Sequence, residues 1–147
     1  MIPGSDILAL VTNQGKARVA DMLATGKSFK VDTFRLGDGG YDLNDNTLPL
    51  TPDPSATDVY GTPGGVLTKP IQMVSLASPT CPVFQCIALA GEGTGPIGSL
   101  GLLGTLVYSP IPGDPELGLK FLFALATMPI KVKVPLDVFT FHVGIIL

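Results

Sequence analysis

Eighteen glycines and fourteen prolines punctuate this chain of 147 residues so densely that long uninterrupted helices are excluded. An interior glycine weakens a helix by about 1 kcal/mol, and an interior proline by about 3 kcal/mol. Collagen is excluded as well, because glycine does not recur at every third position throughout. One window reads as a helix, from residue 13 to residue 25. Thr12 or Asn13 can cap its start, and Gly26 can close it in a left-handed conformation. Ala20, Leu23 and Ala24, with Lys16 and Ala17 one turn earlier, form a narrow apolar stripe along it.

Beyond Gly26 the hydrophobic period changes. Ser28 to Leu36 places Phe29 and Val31 on one face, then Phe34 and Leu36 after a one-residue slip, which predicts a strand with a bulge. Asp42 to Gly65 is a polar excursion holding Pro49, Pro52, Pro54 and Pro63. It predicts a long loop with at most one helical turn near Ser55 to Tyr60, and loops of this length commonly serve function or a partner. The remainder predicts strands only: Val66 to Leu76 with a break at Pro70, Val83 to Ala90, Leu102 to Tyr108, Leu119 to Met128, Ile130 to Val134 and Val138 to Leu147. Ile130 to Val134 alternates valines and lysines, so one face is expected to be wet. Lys120 to Leu125 and Phe139 to Leu147 do not alternate. They are expected to be covered on both faces, the second cover coming from another sheet or another subunit.

Charge narrows the function. Charged residues are only 14% of the chain, and the formal net charge is −3. Nine Lys and Arg are scattered without a run, and a nucleic-acid surface needs a basic patch. Between Lys69 and Asp114 the only charge is Glu92. Prolines interrupt that neutral stretch too often for a membrane-crossing helix of about 20 residues. The N-terminus lacks the basic and apolar regions of a signal peptide, so folding in a cytoplasm is expected. Cys81 and Cys86 match no zinc spacing and point to opposite faces of a strand, so both read as reduced, buried thiols.

Several motifs invite chemistry. Gly93-Thr94-Gly95-Pro96-Ile97-Gly98 spells a dinucleotide-binding fingerprint, but no helix can open at Gly98 to receive a pyrophosphate. It reads as a glycine-rich turn entering a strand. Asp42, Asn44 and Asn46 have calcium-loop spacing and Asp53 sits at position twelve, yet Thr47 stands where a glycine is required. These residues, with Asp38 and Asp45, read as turn formers before they read as a cation site. Ser99 lacks the preceding glycine of a nucleophile elbow. His142, the single histidine, lies in a strand-like run and reads as structural. No carboxylate pair stands out as an acid–base couple. The expectation is no enzyme, no cofactor and no metal.

The order of features carries a resemblance. Leu10-Val11-Thr12-Asn13-Gln14-Gly15-Lys16-Ala17 opens the helix. Phe29 to Leu36 then runs into Gly37-Asp38-Gly39, and Leu50-Thr51-Pro52-Asp53-Pro54 follows. This resembles the N-terminal domain of bacteriophage tail-collar fibre proteins, which typically open "LTNAGLAKI", pass through "LKITKFAVGDG" and continue to a "PDP" segment. Leu100 to Pro110 is similar to a later family element but lacks the acidic residue after its aromatic. The resemblance is specific over the first 54 residues and looser beyond them.

The resemblance implies a structural role: attachment of a fibre to a phage baseplate or collar, with no catalytic residues to carry over. The chain has no shaft and no tip, so a baseplate component or adaptor that holds or replaces a fibre is expected. The fold implied is one α+β domain, mostly β: an antiparallel β-sandwich-like arrangement with one N-terminal helix at about 13–25 and a proline-rich loop at about 42–65. Candidate assembly surfaces are the apolar C-terminal run Phe139, Phe141, Val143, Ile145, Ile146 and Leu147, and the loop residues Pro49, Pro52, Pro54 and Tyr60 as an arm onto a neighbour. Gly37, Asp38 and Gly39 are read as backbone geometry. Expected partners are further copies of the chain, a trimer being favoured, and other tail, baseplate or fibre proteins in the virion. A carbohydrate-binding β-sandwich that contacts the host is the alternative; the absence of tryptophan counts against it. A phage-derived contractile machine is a third context.

Overall fold

The computed structural model describes residues 7–45 and 47–146. It contains strand β1 (Ile7–Val11), helix α1 (Asn13–Thr25), and strands β2 (Ser28–Gly37), β3 (Leu67–Pro70), β4 (Met73–Ser78), β5 (Cys81–Ala88), β6 (Gly95–Tyr108), β7 (Lys120–Lys133) and β8 (Phe139–Ile145). The helix occupies the expected window, and its caps explain why. Thr12 Oγ1 accepts the Gly15 N–H at 3.0 Å, and Gly26, with φ of +79°, donates its N–H to Met22 O. The first meets an orphan donor of the helix start, and the second an orphan carbonyl of its end.

The strands form one hydrogen-bonded order, β3-β2-β6-β7-β1-β8-β5-β4. Every neighbouring pair is antiparallel except β1 and β8, which run parallel with Leu8 opposite Gly144. The sheet is therefore mixed where a wholly antiparallel one was expected. Periodicity reports which face a residue takes, and it carries no information on the direction of a distant partner.

The two edge strands, β3 and β4, are consecutive in sequence and separated only by Ile71 and Gln72. Two residues span no more than about 10 Å, so the edges of the sheet meet at this corner and the sheet must curl. Ile71 donates its N–H to Asp32 O, and Gln72 donates to Gln85 O. The corner is thereby stitched to both flanks. Pro70, which has no N–H to give, ends the first half as expected.

Strands β6 and β7 are buried on both faces. One face joins Phe34, Leu36, Phe84, Cys86, Phe141 and Val143 in the main core. The second cover was expected from another sheet or subunit, and this is corrected: the chain supplies it. Val59 from the long loop packs on Leu103, Leu122 and Leu125, and α1 lies against β7. Glycine spacing makes β6 thin enough for this. A Cβ at Gly98 would sit 2.5 Å from Gly39 O, and one at Gly104 would sit 2.6 Å from the Phe121 ring.

The wet face expected for Ile130 to Val134 holds only in part: Lys131 is exposed, but Lys133 is not. Lys133 is 1% exposed, whereas Val132 is 62% exposed. The Lys133 ammonium donates to Leu89 O at 2.7 Å, and the Lys131 ammonium lies 5.4 Å from the centre of the Phe141 ring. The register between β6 and β7 shifts between Ile97 and Ser99, opposite the segment that holds Pro129.

Candidate assembly surfaces

The residues that carry the tail-collar resemblance converge on one joint. Thr12 is fully buried; its hydroxyl donates to Leu122 O at 2.7 Å, and its N–H donates to Phe123 O at 2.9 Å. Asn13 donates its N–H to Pro54 O at 2.7 Å, and Gly39 donates to Tyr60 O at 3.1 Å. Asp38 accepts from the Thr62 N–H and hydroxyl. Those bonds, the backbone one first, hold its carboxyl below the ordinary carboxylate range. Gly37 and Gly39 allow the loop to pass: a Cβ at Gly39 would stand 2.7 Å from Gly61 N. The Gly37-Asp38-Gly39 turn therefore anchors the long loop to the sheet.

The loop itself lies on its own domain. Tyr60 is half-buried, its phenol oxygen accepts the Asp53 N–H at 2.8 Å, and its backbone N–H donates to Ser99 Oγ. Thr127 Oγ1 donates to Leu50 O. Pro52 is half-buried, Pro49 and Pro54 are exposed, and Pro49 bridges Tyr41. Arg35 pairs with Asp58 at 2.9 Å and clamps the distal part of the loop to β2.

The C-terminal run is corrected as a surface. Phe141, Val143 and Ile145 are at most 2% exposed in the chain's own core, because β8 is flanked by β1 and β5 and one of its faces lines the curl. Phe139 is half-buried against the same core. Ile146 is exposed, and Leu147 lies outside the described residues. The apolar surface is elsewhere. Met73, Val74 and Leu76 project from β4, and Val132, Val134, Leu136 and Val138 surround the β7–β8 turn, all of them about half or more exposed. Where β2 and β4 diverge, a cleft of ≈ 550 Å³ opens between Val19 and Met22 of α1, Phe29 and Val31 of β2, Val74 of β4 and Phe84 of β5. Sequence reasoning missed the β4 surface. The signal for it was the uncharged segment between Pro70 and Pro79.

The chemistry-bearing side chains are engaged structurally. Ser99 is fully buried and bonded to the Tyr60 backbone. Asp42, Asp45 and Asp53 each accept the N–H two residues on, from Asn44, Thr47 and Ser55, as turn-forming aspartates do. Asn46 lies outside the described residues. Gly93 and Gly95 lead into strand β6, not into a helix. Burial pushes the Cys86 thiol up to about 12, far from a reactive thiolate; Cys81 is only half-buried. His142 stands on β8 beside Gln85. Among the described residues no three His, Cys, Asp or Glu side chains come together, and no helix is long and apolar enough to cross a membrane.

The strongest charge cluster joins helix to hairpin. Lys27 Nζ lies 3.0 Å from both Asp114 Oδ2 and Glu116 Oε1, and Arg18 pairs with Glu116 at 2.9 Å. Asp114 also accepts from Ser109 Oγ at 2.6 Å and from the Glu116 N–H. These bonds, the serine's first, hold its carboxyl at about 2. A depressed carboxylate stabilises the fold above its unfolded pKa, and that contribution is lost as pH falls through the folded value. The melting temperature is therefore expected to hold steady down to about pH 4 and fall between about pH 4 and pH 2. In Ser109→Ala, whose Asp114 loses its first hydrogen bond, that fall is smaller and is complete at a higher pH. Thermal unfolding followed by circular dichroism across this range checks it, and identical acid profiles for the two proteins would refute the assignment.

No family model matches the chain, and neither the curated proteins nor the solved structures give a significant match.

Proposed function

We propose that this chain is a structural subunit of a phage tail, a baseplate or collar component that anchors tail fibres and is present in several copies. The observation that carries this reading is how the surface is divided. Five of the scarce cations, Arg18, Lys27, Arg35, Lys69 and Lys120, are committed to ion pairs within the chain, and Lys133 is buried. Meanwhile Met73, Val74, Leu76, Val132, Leu136 and Val138 face outward. A domain that works alone keeps its charges on the surface and its large apolar side chains off it. A subunit packed among neighbours does not need to. The joint built from Thr12, Gly15, Gly37 to Gly39 and Pro54 supports the same reading, since the residues shared with the tail-collar pattern are those that fix the loop and helix on the sheet.

The reading is tested on purified particles. The chain is expected in the tail fraction at fixed stoichiometry, cross-linked to baseplate or fibre proteins. A chain absent from particles, or one that binds glycans as a monomer on an array, refutes it and favours the carbohydrate-binding alternative.

A further inference from the structure

We infer that strand β4 is a self-pairing edge: two copies of this chain join antiparallel along Met73–Ser78 and continue one sheet through both molecules. The inference rests on the self-association part of the proposed function and is independent of the tail assignment.

The two edges of the sheet are treated differently by the sequence. At β3 the edge is four residues long and carries Lys69 and Pro70, the devices that discourage edge-to-edge pairing. At β4 the edge is six residues long, Met-Val-Ser-Leu-Ala-Ser, with neither a charge nor a proline. It pairs with β5 on one side only and closes the strand order on the other. The N–H and C=O groups on its outer side have no strand partner within the sheet order, and such a row is a template for pairing with a strand of another chain. Its pairing with β5 is regular from Met73 to Leu76, and the single irregularity lies beyond, between Leu76 and Ser78.

Charge selects a second copy as the occupant. The chain carries a net charge of −3, so most contacts between two copies meet repulsion. No charged residue occurs from Pro70 to Gly91, which leaves this edge as the neutral approach. The sequence of the strand also suits itself. With a twofold axis through Ser75, Val74 of one copy stands opposite Leu76 of the other, and Met73 opposite Ala77. Such cross-strand apolar pairs stabilise a sheet. They also cover side chains that are 49% (Val74), 58% (Met73) and 70% (Leu76) exposed. One short strand pair is a small interface, so the dimer is expected at micromolar and not nanomolar concentration. A trimer would require a different surface.

The test is sedimentation of the purified full chain across a concentration series, with two double variants, Val74→Lys/Leu76→Lys and Val74→Glu/Leu76→Glu. Both positions are exposed, so folding is expected to survive, and circular dichroism verifies it. The wild type is expected to dimerise. Each variant alone is expected to lose about tenfold or more in affinity, because like charges then stand opposite one another. Mixing the two variants should restore a heterodimer. A wild type that stays monomeric at every concentration overturns both self-association and the edge pairing. An oligomer unchanged in both variants overturns the edge pairing alone and leaves self-association standing.

Discussion

Phe141→Ala is expected to destabilise the chain by about 3–5 kcal/mol, and deletion of Phe139 to Leu147 to leave no cooperatively folded protein. Strand β8 is the hinge of the strand order: it pairs with β1 on one side and β5 on the other. Apart from the two-residue corner at Ile71 and Gln72, it is what ties β5 and β4 to the other strands. Phe141 is its largest fully committed side chain, 2% exposed, opposite Cys86 and edge-on to Phe139 with ring centres 6.0 Å apart. An alanine there leaves a ring-sized void beneath close-packed neighbours, and the loss combines the transfer and cavity contributions. Urea unfolding with an unchanged slope is the measurement. A loss under about 1 kcal/mol, the size expected of a surface substitution, would return the C-terminal strand to the surface, where the sequence alone placed it.

That misplacement shows where sequence reasoning reaches its limit. The helix was legible because its signals are local: Thr12 and Gly26 stand at the two ends of one window. The slip in the second strand was legible too, and it appears as the register shift between Val31 and Thr33. Pro70 marked a real break. What escaped were consequences of distant pairing. An apolar run such as Phe139 to Leu147 looks the same whether its cover is the chain's own core or a neighbouring subunit, because burial is equally dry in both. Lys133 was expected in water because valine alternates with it, yet it is buried and its ammonium is spent on the Leu89 carbonyl. Val59, one apolar residue in a polar loop, gave no sign that it closes the outer face of β6 and β7. Of the candidate surfaces, β4 was legible only as an absence of charge, and that absence acquires meaning once the strand is known to be an edge.

The second large effect opposes what helix propensity alone would give. Gly15→Ala exchanges a poor helix former for the best one, which favours the variant by about 1 kcal/mol. The expected result is nevertheless a net loss of about 1–3 kcal/mol. A Cβ at Gly15 runs into the Phe123 carbonyl oxygen and stands 3.1 Å from the Phe123 ring. That carbonyl cannot retreat freely, because Thr12 donates both its N–H and its hydroxyl to it, at 2.9 and 3.2 Å. Relief therefore requires α1 to lift from β7, which strains the cap that starts the helix. The coupling gives a second readout. Thr12→Ala alone is expected to cost about 1–2 kcal/mol through the lost cap, and the buried Leu122 carbonyl loses its hydroxyl donor as well. If Gly15→Ala already loosens that joint, the double variant loses less than the sum of the two single losses. Chemical unfolding of the three variants decides the matter. A stabilised Gly15→Ala, or strictly additive losses, would mean that the helix start is not seated on β7 and that this residue of the tail-collar pattern has no packing role.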